Sequence, residues 1–131
     1  MLPLEKELKK VESELAKDDR IAAAFLLGSA AREEMRSESD VDIAILVEPE
    51  ATFTGKDQVD LVIALEQIFG RKVDLGILDH DNLIYAKEAY TKGRCIYCND
   101  SFYRDLFGAT TFGMYADLRE SRKEIEDAYR T

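Results

Sequence analysis

The sequence predicts an α/β or α+β fold built on one sheet, and three observations carry that prediction. Short apolar runs that read as strands alternate with segments whose apolar residues recur every three or four positions, the spacing of helices. The 131 residues suit a single domain, with a core at about 21–100 and a helical segment at about 101–130. A hydrophobic content of 46% is enough to fill one core at that length. The alternation does not encode strand direction.

From the N-terminus, Leu4, Leu8, Val11 and Leu15 share one face of a helix over 4–17, which Asp18 and Asp19 end. Residues 21–27, IAAAFLL, form a continuous apolar run closed by Gly28-Ser29, as expected of a strand covered on both faces and followed by a tight turn. Ser29 can cap a short helix through about Met35, with Glu33 and Glu34 near its positive end. Residues 36–39 are polar and read as loop, and 40–47, DVDIAILV, as a strand whose alternating start opens on solvent. After a loop at 48–55, a helix over 56–69 sets Val59, Val62, Ile63, Leu65, Glu66 and Phe69 in a helical pattern and stops at Gly70. A third strand is read at 72–78, KVDLGIL, a helix at 81–92 ending at Gly93, and a short edge strand at 94–98, RCIYC. The remainder, 101–129, is helical, with Gly108 and Gly113 predicted to divide it in two.

Charge narrows the function. Acidic residues number 27 against 18 basic, a net charge of −9, so the surplus of Lys and Arg that holds phosphate backbones or anionic lipid is missing. No apolar run approaches the roughly 20 residues that span a bilayer, and MLPLEKELKK lacks the apolar centre of a signal peptide. Two cysteines without such a signal point to a reducing interior. The expectation is a cytoplasmic protein that binds neither membrane nor nucleic acid.

The most informative segment is 28–47, GSAAREEMRSESDVDIAILV. After Gly28-Ser29 and ten intervening residues, Asp40 and Asp42 stand at the head of a strand, where side chains two apart share a face with Cα atoms about 7 Å apart. Asp74 takes the equivalent early position of the strand at 72–78. Three oxygen ligands suit a hard divalent cation, Mg²⁺ or Mn²⁺, especially where substrate phosphates complete the shell. Ala44 and Gly76, next along the acidic faces, are small and are expected to leave room above the sheet; Val41, Ile43, Val73 and Leu75 are expected to pack against helices on the other side. Gly28 lets a phosphate approach the backbone, Ser29 adds a hydroxyl and the amides of a helix start, and Arg32 lies one turn on. A Gly-Ser pair alone is an ordinary turn, and Asp-x-Asp alone an ordinary solvated strand end. Their order, matched strand positions and small neighbours together point to metal-assisted phosphoryl chemistry.

Gly28-Ser29, Asp40-x-Asp42 and the later Asp74 resemble the DNA polymerase β-type nucleotidyltransferase superfamily, and GSAAR with SDVDIAILV and KVDLGIL resembles its minimal nucleotidyltransferases, the MNT or MntA-type antitoxins. Gly93-Arg94-Cys95-Ile96-Tyr97 and Tyr115-Ala116-Asp117 are similar to later segments of that group, so the likeness covers about 21–117. The resemblance implies a small mixed sheet flanked by helices, and transfer of a nucleoside monophosphate, AMP from ATP, to a hydroxyl. It implies Asp40, Asp42 and Asp74 as catalytic metal ligands, with Asp74 also activating the acceptor, and Gly28, Ser29 and Arg32 as nucleotide-binding residues. It further implies a HEPN-type toxin as partner, silenced by modification of a tyrosine. Family members often follow Ala-Arg with Gly; here Glu33-Glu34 adds negative charge near the expected phosphate site.

Two other readings remain: a silent binding module of the same fold, and a small-molecule adenylyltransferase, whose relatives usually carry a further helical domain. Cys95-x-x-Cys98 supplies half of a structural zinc site with only His80 to add, so buried or incidental thiols are expected, on opposite sides of a regular strand. His80 is expected to be solvated. The end of the chain, SRKEIEDAYRT, is an amphipathic helix end, suited to solvent, a partner or a second copy, and Arg119, Arg122 and Lys123 make only a small basic patch.

Overall fold

Leu8, Val11 and Leu15 place three buried side chains on one face of α1 (Glu5–Leu15), as their spacing requires. The computed structural model describes residues 5–28 and 40–129; the helix expected at 29–35 and the loop at 36–39 lie outside the described residues. Four strands follow the predicted runs closely: β1 (Ile21–Leu27), β2 (Val41–Val47), β3 (Val73–Ile77) and β4 (Arg94–Cys98). They form one sheet in the order β3-β2-β1-β4. β1 runs antiparallel to β2 and β4, while β2 and β3 are parallel, so the sheet is mixed and β4 is an edge.

α1 and α2 (Gly55–Phe69) cover one face, where Leu8, Leu15, Leu65 and Phe69 meet Leu26, Ile43, Ile45 and Val73. α3 (Leu83–Lys92) and α4 (Ser101–Tyr129) cover the other, where Ala86, Ala89 and Phe107 meet Ala23, Phe25, Ala44 and Leu46. Being covered on both sides is why β1 and β2 are continuous apolar runs. α2 begins with a capping box between Thr54 and Asp57 and ends at Gly70, whose φ of 67° closes the last turn in the left-handed region. Arg20 anchors that start: its guanidinium pairs with Asp18 at 2.8 Å and Asp57 at 2.9 Å and lies over the Phe53 ring. The buried face of α2 is set by Leu65 and Phe69, whereas Val59 and Ile63 point outward.

Three expectations change. α4 is continuous through Gly108 and Gly113. Gly108 is a packing site, because a Cβ there would lie 2.6 Å from the Tyr90 ring, and Tyr90 also donates a 2.8 Å hydrogen bond to the Arg104 carbonyl. Buried residues of α4 cluster at Phe107, Gly108 and Thr111, and 119–129 is exposed throughout. His80 opens a short 3₁₀ turn (His80–Asn82) and is packed, its ring 4.0 Å from that of Phe107. Thr111 Oγ1 donates to the Phe107 carbonyl, so at 2.9 Å it accepts from His80 Nε2. Finally, Cys95 pairs with Phe25 and Cys98 with Ala23, a register shift that leaves Ile96 as an extra residue. This β-bulge turns both thiols toward the α4 side, and both are exposed. No helix among the described residues is long and apolar enough to cross a membrane.

Candidate functional site

Parallel pairing of β2 and β3 is what assembles the acidic site. Asp42 is the register partner of Asp74, so the two carboxylates stand side by side on neighbouring strands, spaced about 5 Å at the backbone. The strand starts are fixed independently. Val41 N–H donates to the Lys72 carbonyl at 2.9 Å, and Val73 N–H to Glu66 Oε2 at 3.0 Å, so α2 positions the residue before Asp74. Asp40, immediately ahead of β2, is exposed. Gly28 arrives from β1, where Leu27 pairs with Asp42. Its φ of 66° lies in the left-handed region, and a Cβ there would come within 2.9 Å of Asp42 Oδ2. Glycine thus satisfies both the backbone turn and the close approach of the carboxylate.

A cavity of about 500 Å³ opens over these residues, lined by Leu27, Asp42, Asp74, Gly76, Asn82 and Tyr85 among others. Tyr85 is the participant that sequence reasoning missed. Its hydroxyl fills the place where a Gly76 side chain would stand. Asn82 Oδ1 accepts from the Tyr85 backbone N–H at 3.3 Å and starts α3 at the height that puts the ring there. Gly76 therefore does not leave open room above the sheet; it admits a phenol. Ala44 likewise is fully buried beneath α3 and α4, where a small residue lets the helices approach. The one available signal was the glycine itself, since a glycine inside a strand marks close approach by another group. Of the expected apolar face, Val41, Ile43 and Val73 are buried in the α1–α2 core, and Leu75 packs against it.

The electrostatics are those of crowded acids. Burial, then the charges of Asp74 and Asp40, raise the Asp42 pKa above the usual carboxylate range. Burial, then the charges of Asp42 and Asp74, raise that of the Tyr85 phenol. Among the described residues no ion pair reaches Asp42 or Asp74, and no group of three His, Cys, Asp or Glu side chains is arranged to hold a metal ion. Two adjacent carboxylates are nonetheless a suitable donor set for a hard cation that takes its other ligands from phosphate and water. Ser29 and Arg32 lie outside the described residues.

A mixed sheet with helices on both faces, carrying aspartates at the starts of its two parallel strands, matches the nucleotidyltransferase fold. Residues 9–102 match the family described as Polymerase beta, nucleotidyltransferase, and the chain belongs to that family. Solved structures agree on the fold. A toxin–antitoxin with AMP-PNP superposes with a TM-score of 0.72 at 22% identity, covering 96% of this chain and 98% of the other. The toxin–antitoxin MntA–HepT gives a TM-score of 0.70 at 22% identity, over 96% and 98% of the two chains. The tri-AMPylated Shewanella oneidensis HEPN toxin in complex with MNT antitoxin gives 0.65 at 22% identity, over 95% and 99%. Comparison with curated proteins found no match.

Proposed function

We propose that this chain is a minimal nucleotidyltransferase that transfers AMP from ATP to a tyrosine hydroxyl of a HEPN-type toxin, and so acts as its antitoxin. The observation that carries this reading is the in-register Asp42–Asp74 pair beside Gly28, in a chain of the polymerase β nucleotidyltransferase family. Fold neighbours that hold AMP-PNP, or that pair an MNT antitoxin with an AMPylated HEPN toxin, support the choice of nucleotide and partner.

In this reading Asp42 and Asp74, joined by Asp40, hold Mg²⁺ or Mn²⁺. Such an ion, when bound, neutralises charge developing at phosphorus. Gly28 leaves its backbone open to a phosphate oxygen, with Ser29 and Arg32 as further phosphate contacts. The acceptor oxygen bonds to the α-phosphorus, the bond to pyrophosphate breaks, and the hydroxyl proton passes to an Asp74 carboxylate oxygen. Tyr85 lines the cavity beside the pair.

The test is to incubate the purified chain with ATP, Mg²⁺ and the product of the neighbouring open reading frame, and to read AMP addition by intact mass. Asp42→Asn should lose at least about a hundredfold in transfer rate while keeping its circular dichroism spectrum. Transfer by Asp40→Asn and Asp42→Asn at the wild-type rate would overturn the catalytic reading. A variant lacking all three acids that still silences the toxin would establish inhibition by contact alone.

A further inference from the structure

The bulge in β4 has a chemical consequence away from the acidic site. In a regular strand residues three apart face opposite sides, and Cys95 and Cys98 would be separated by the sheet. Here the extra residue, Ile96, restores parity: Cys95 lies opposite Phe25 and Cys98 opposite Ala23, two residues apart on β1. The thiols share one face, and their Cα atoms are spaced like neighbours on that face, about 7 Å. Disulfides need Cβ atoms about 3.5–4.5 Å apart, so closing the pair draws the two side chains together by tightening the bulge at the sheet edge. Both thiols are exposed, and both line the same hollow of about 370 Å³ with Glu12, Tyr97 and Arg104.

The two sulfurs are not equivalent. Arg104, from the first turn of α4, directs Nη1 at Cys95 Sγ across 3.8 Å while its Nε engages Asp105 at 3.1 Å. Cys95 thus sits in the exposed, electropositive surroundings in which reactive cysteines are found. Cys95 Sγ otherwise donates to the Tyr97 carbonyl at 3.4 Å. Cys98 is met by the Asp100 backbone N–H instead; burial raises its pKa, Arg104 and the Asp100 hydrogen bond pull it down and Cys95 pushes it up again, with a net rise.

We infer that Cys95 and Cys98 form an oxidisable dithiol, with Cys95, faced by the Arg104 guanidinium, the peroxide-reactive thiol and Cys98 the resolving thiol that closes an intramolecular disulfide. The Cys95 sulfur attacks one oxygen of a hydroperoxide, the O–O bond breaks, and the leaving oxygen takes the thiol proton, giving water from hydrogen peroxide and a sulfenic acid on Cys95. Cys98 sulfur then attacks Cys95 sulfur, the S–O bond breaks and a second water leaves with the Cys98 proton. Each sulfur gives up one electron, and the peroxide takes both.

The experiment exposes the reduced full chain to hydrogen peroxide at low protein concentration and follows intact mass and iodoacetamide labelling. The expected result is loss of two hydrogens and of both labelling sites in the monomer, reversed by dithiothreitol. Cys98→Ser should instead leave a Cys95 sulfenic acid that dimedone traps. Cys95→Ser should react about tenfold more slowly, and Arg104→Ala should slow oxidation of Cys95 by a similar factor. Circular dichroism and thermal melts confirm that each variant is folded. Direct passage to sulfinic acid, disulfide-linked dimers instead of a closed monomer, or equal reactivity of the two single-serine variants would overturn the proposal. An Arg104→Ala variant that oxidises at the wild-type rate would overturn the activating role of the guanidinium.

Discussion

Adding one methyl group at Gly76 should be felt across the site. A Cβ at this position meets the Tyr85 hydroxyl first, with Cζ at 2.7 Å and Cε2 at 2.9 Å, closer than side-chain carbons tolerate. The ring, not the strand, must give way, because β2 holds this part of β3 by its register. Overpacking of this kind costs about 1–3 kcal/mol, offset by the roughly 0.5–1 kcal/mol that replacing a strand glycine gains. Gly76→Ala is therefore expected to lose about 1–2 kcal/mol, which lowers Tm by about 3–5 °C per kcal/mol for a chain of this size. The assay is urea or thermal unfolding followed by circular dichroism, run as a cycle with Tyr85→Ala. In the Tyr85→Ala background the same methyl group enters vacated space and should be neutral or stabilising, a coupling of at least about 1 kcal/mol between the two positions. If Gly76→Ala is harmless in the wild-type background, or costs the same in both, then the phenol does not occupy the glycine's place and the reasoning fails.

Other expectations follow from the same packing and charge arguments. Gly28→Ala combines a left-handed backbone with a contact 2.9 Å from Asp42 Oδ2, and should cost about 1–2 kcal/mol by denaturant unfolding. Gly108→Ala drives a methyl group to 2.6 Å from the Tyr90 ring and should cost about 1–3 kcal/mol; an unchanged midpoint would show that α4 does not lean on Tyr90. Asp42→Asn should raise Tm in metal-free buffer at neutral pH. The native pKa of Asp42 lies above its unfolded value, so its ionised form weakens the fold at high pH and that penalty fades as pH falls through the native value. Asp57 has the opposite sign: hydrogen bonds from Thr54 and Arg20 lower it to about 2, so its contribution is complete above about pH 4 and disappears as the pH falls toward 2. Asp57→Asn should accordingly be less stable than wild type at pH 7 and converge with it in acid, as read from parallel thermal melts.

Hydrophobic patterning made the sheet and most helices legible before any coordinates. Runs such as IAAAFLL and DIAILV are apolar because helices cover both faces, and the acids at the heads of two strands stand out against them. Three features escaped because each depends on a partner distant in sequence. Tyr85 reaches Gly76 only through the height at which Asn82 starts α3. Gly108 carries the sequence sign of a helix break, yet its role is set by Tyr90 on another helix. The bulge at Ile96 follows from pairing with β1, and nothing in RCIYC by itself announces an extra residue. Periodicity reports which side of an element is covered; it does not report what covers it.

The register of β2 against β3 acts as an error check on folding. Side chains alternate faces along a strand, so a slip by one residue would carry Asp42 or Asp74 toward the core where Val41, Ile43 and Val73 now sit. Burying an unpaired carboxylate costs several kcal/mol, a large fraction of the stability of a domain this size. The charges that weaken the correct fold slightly thus penalise its one-residue slips far more, and favour the alignment that leaves both acids at the mouth of the cavity.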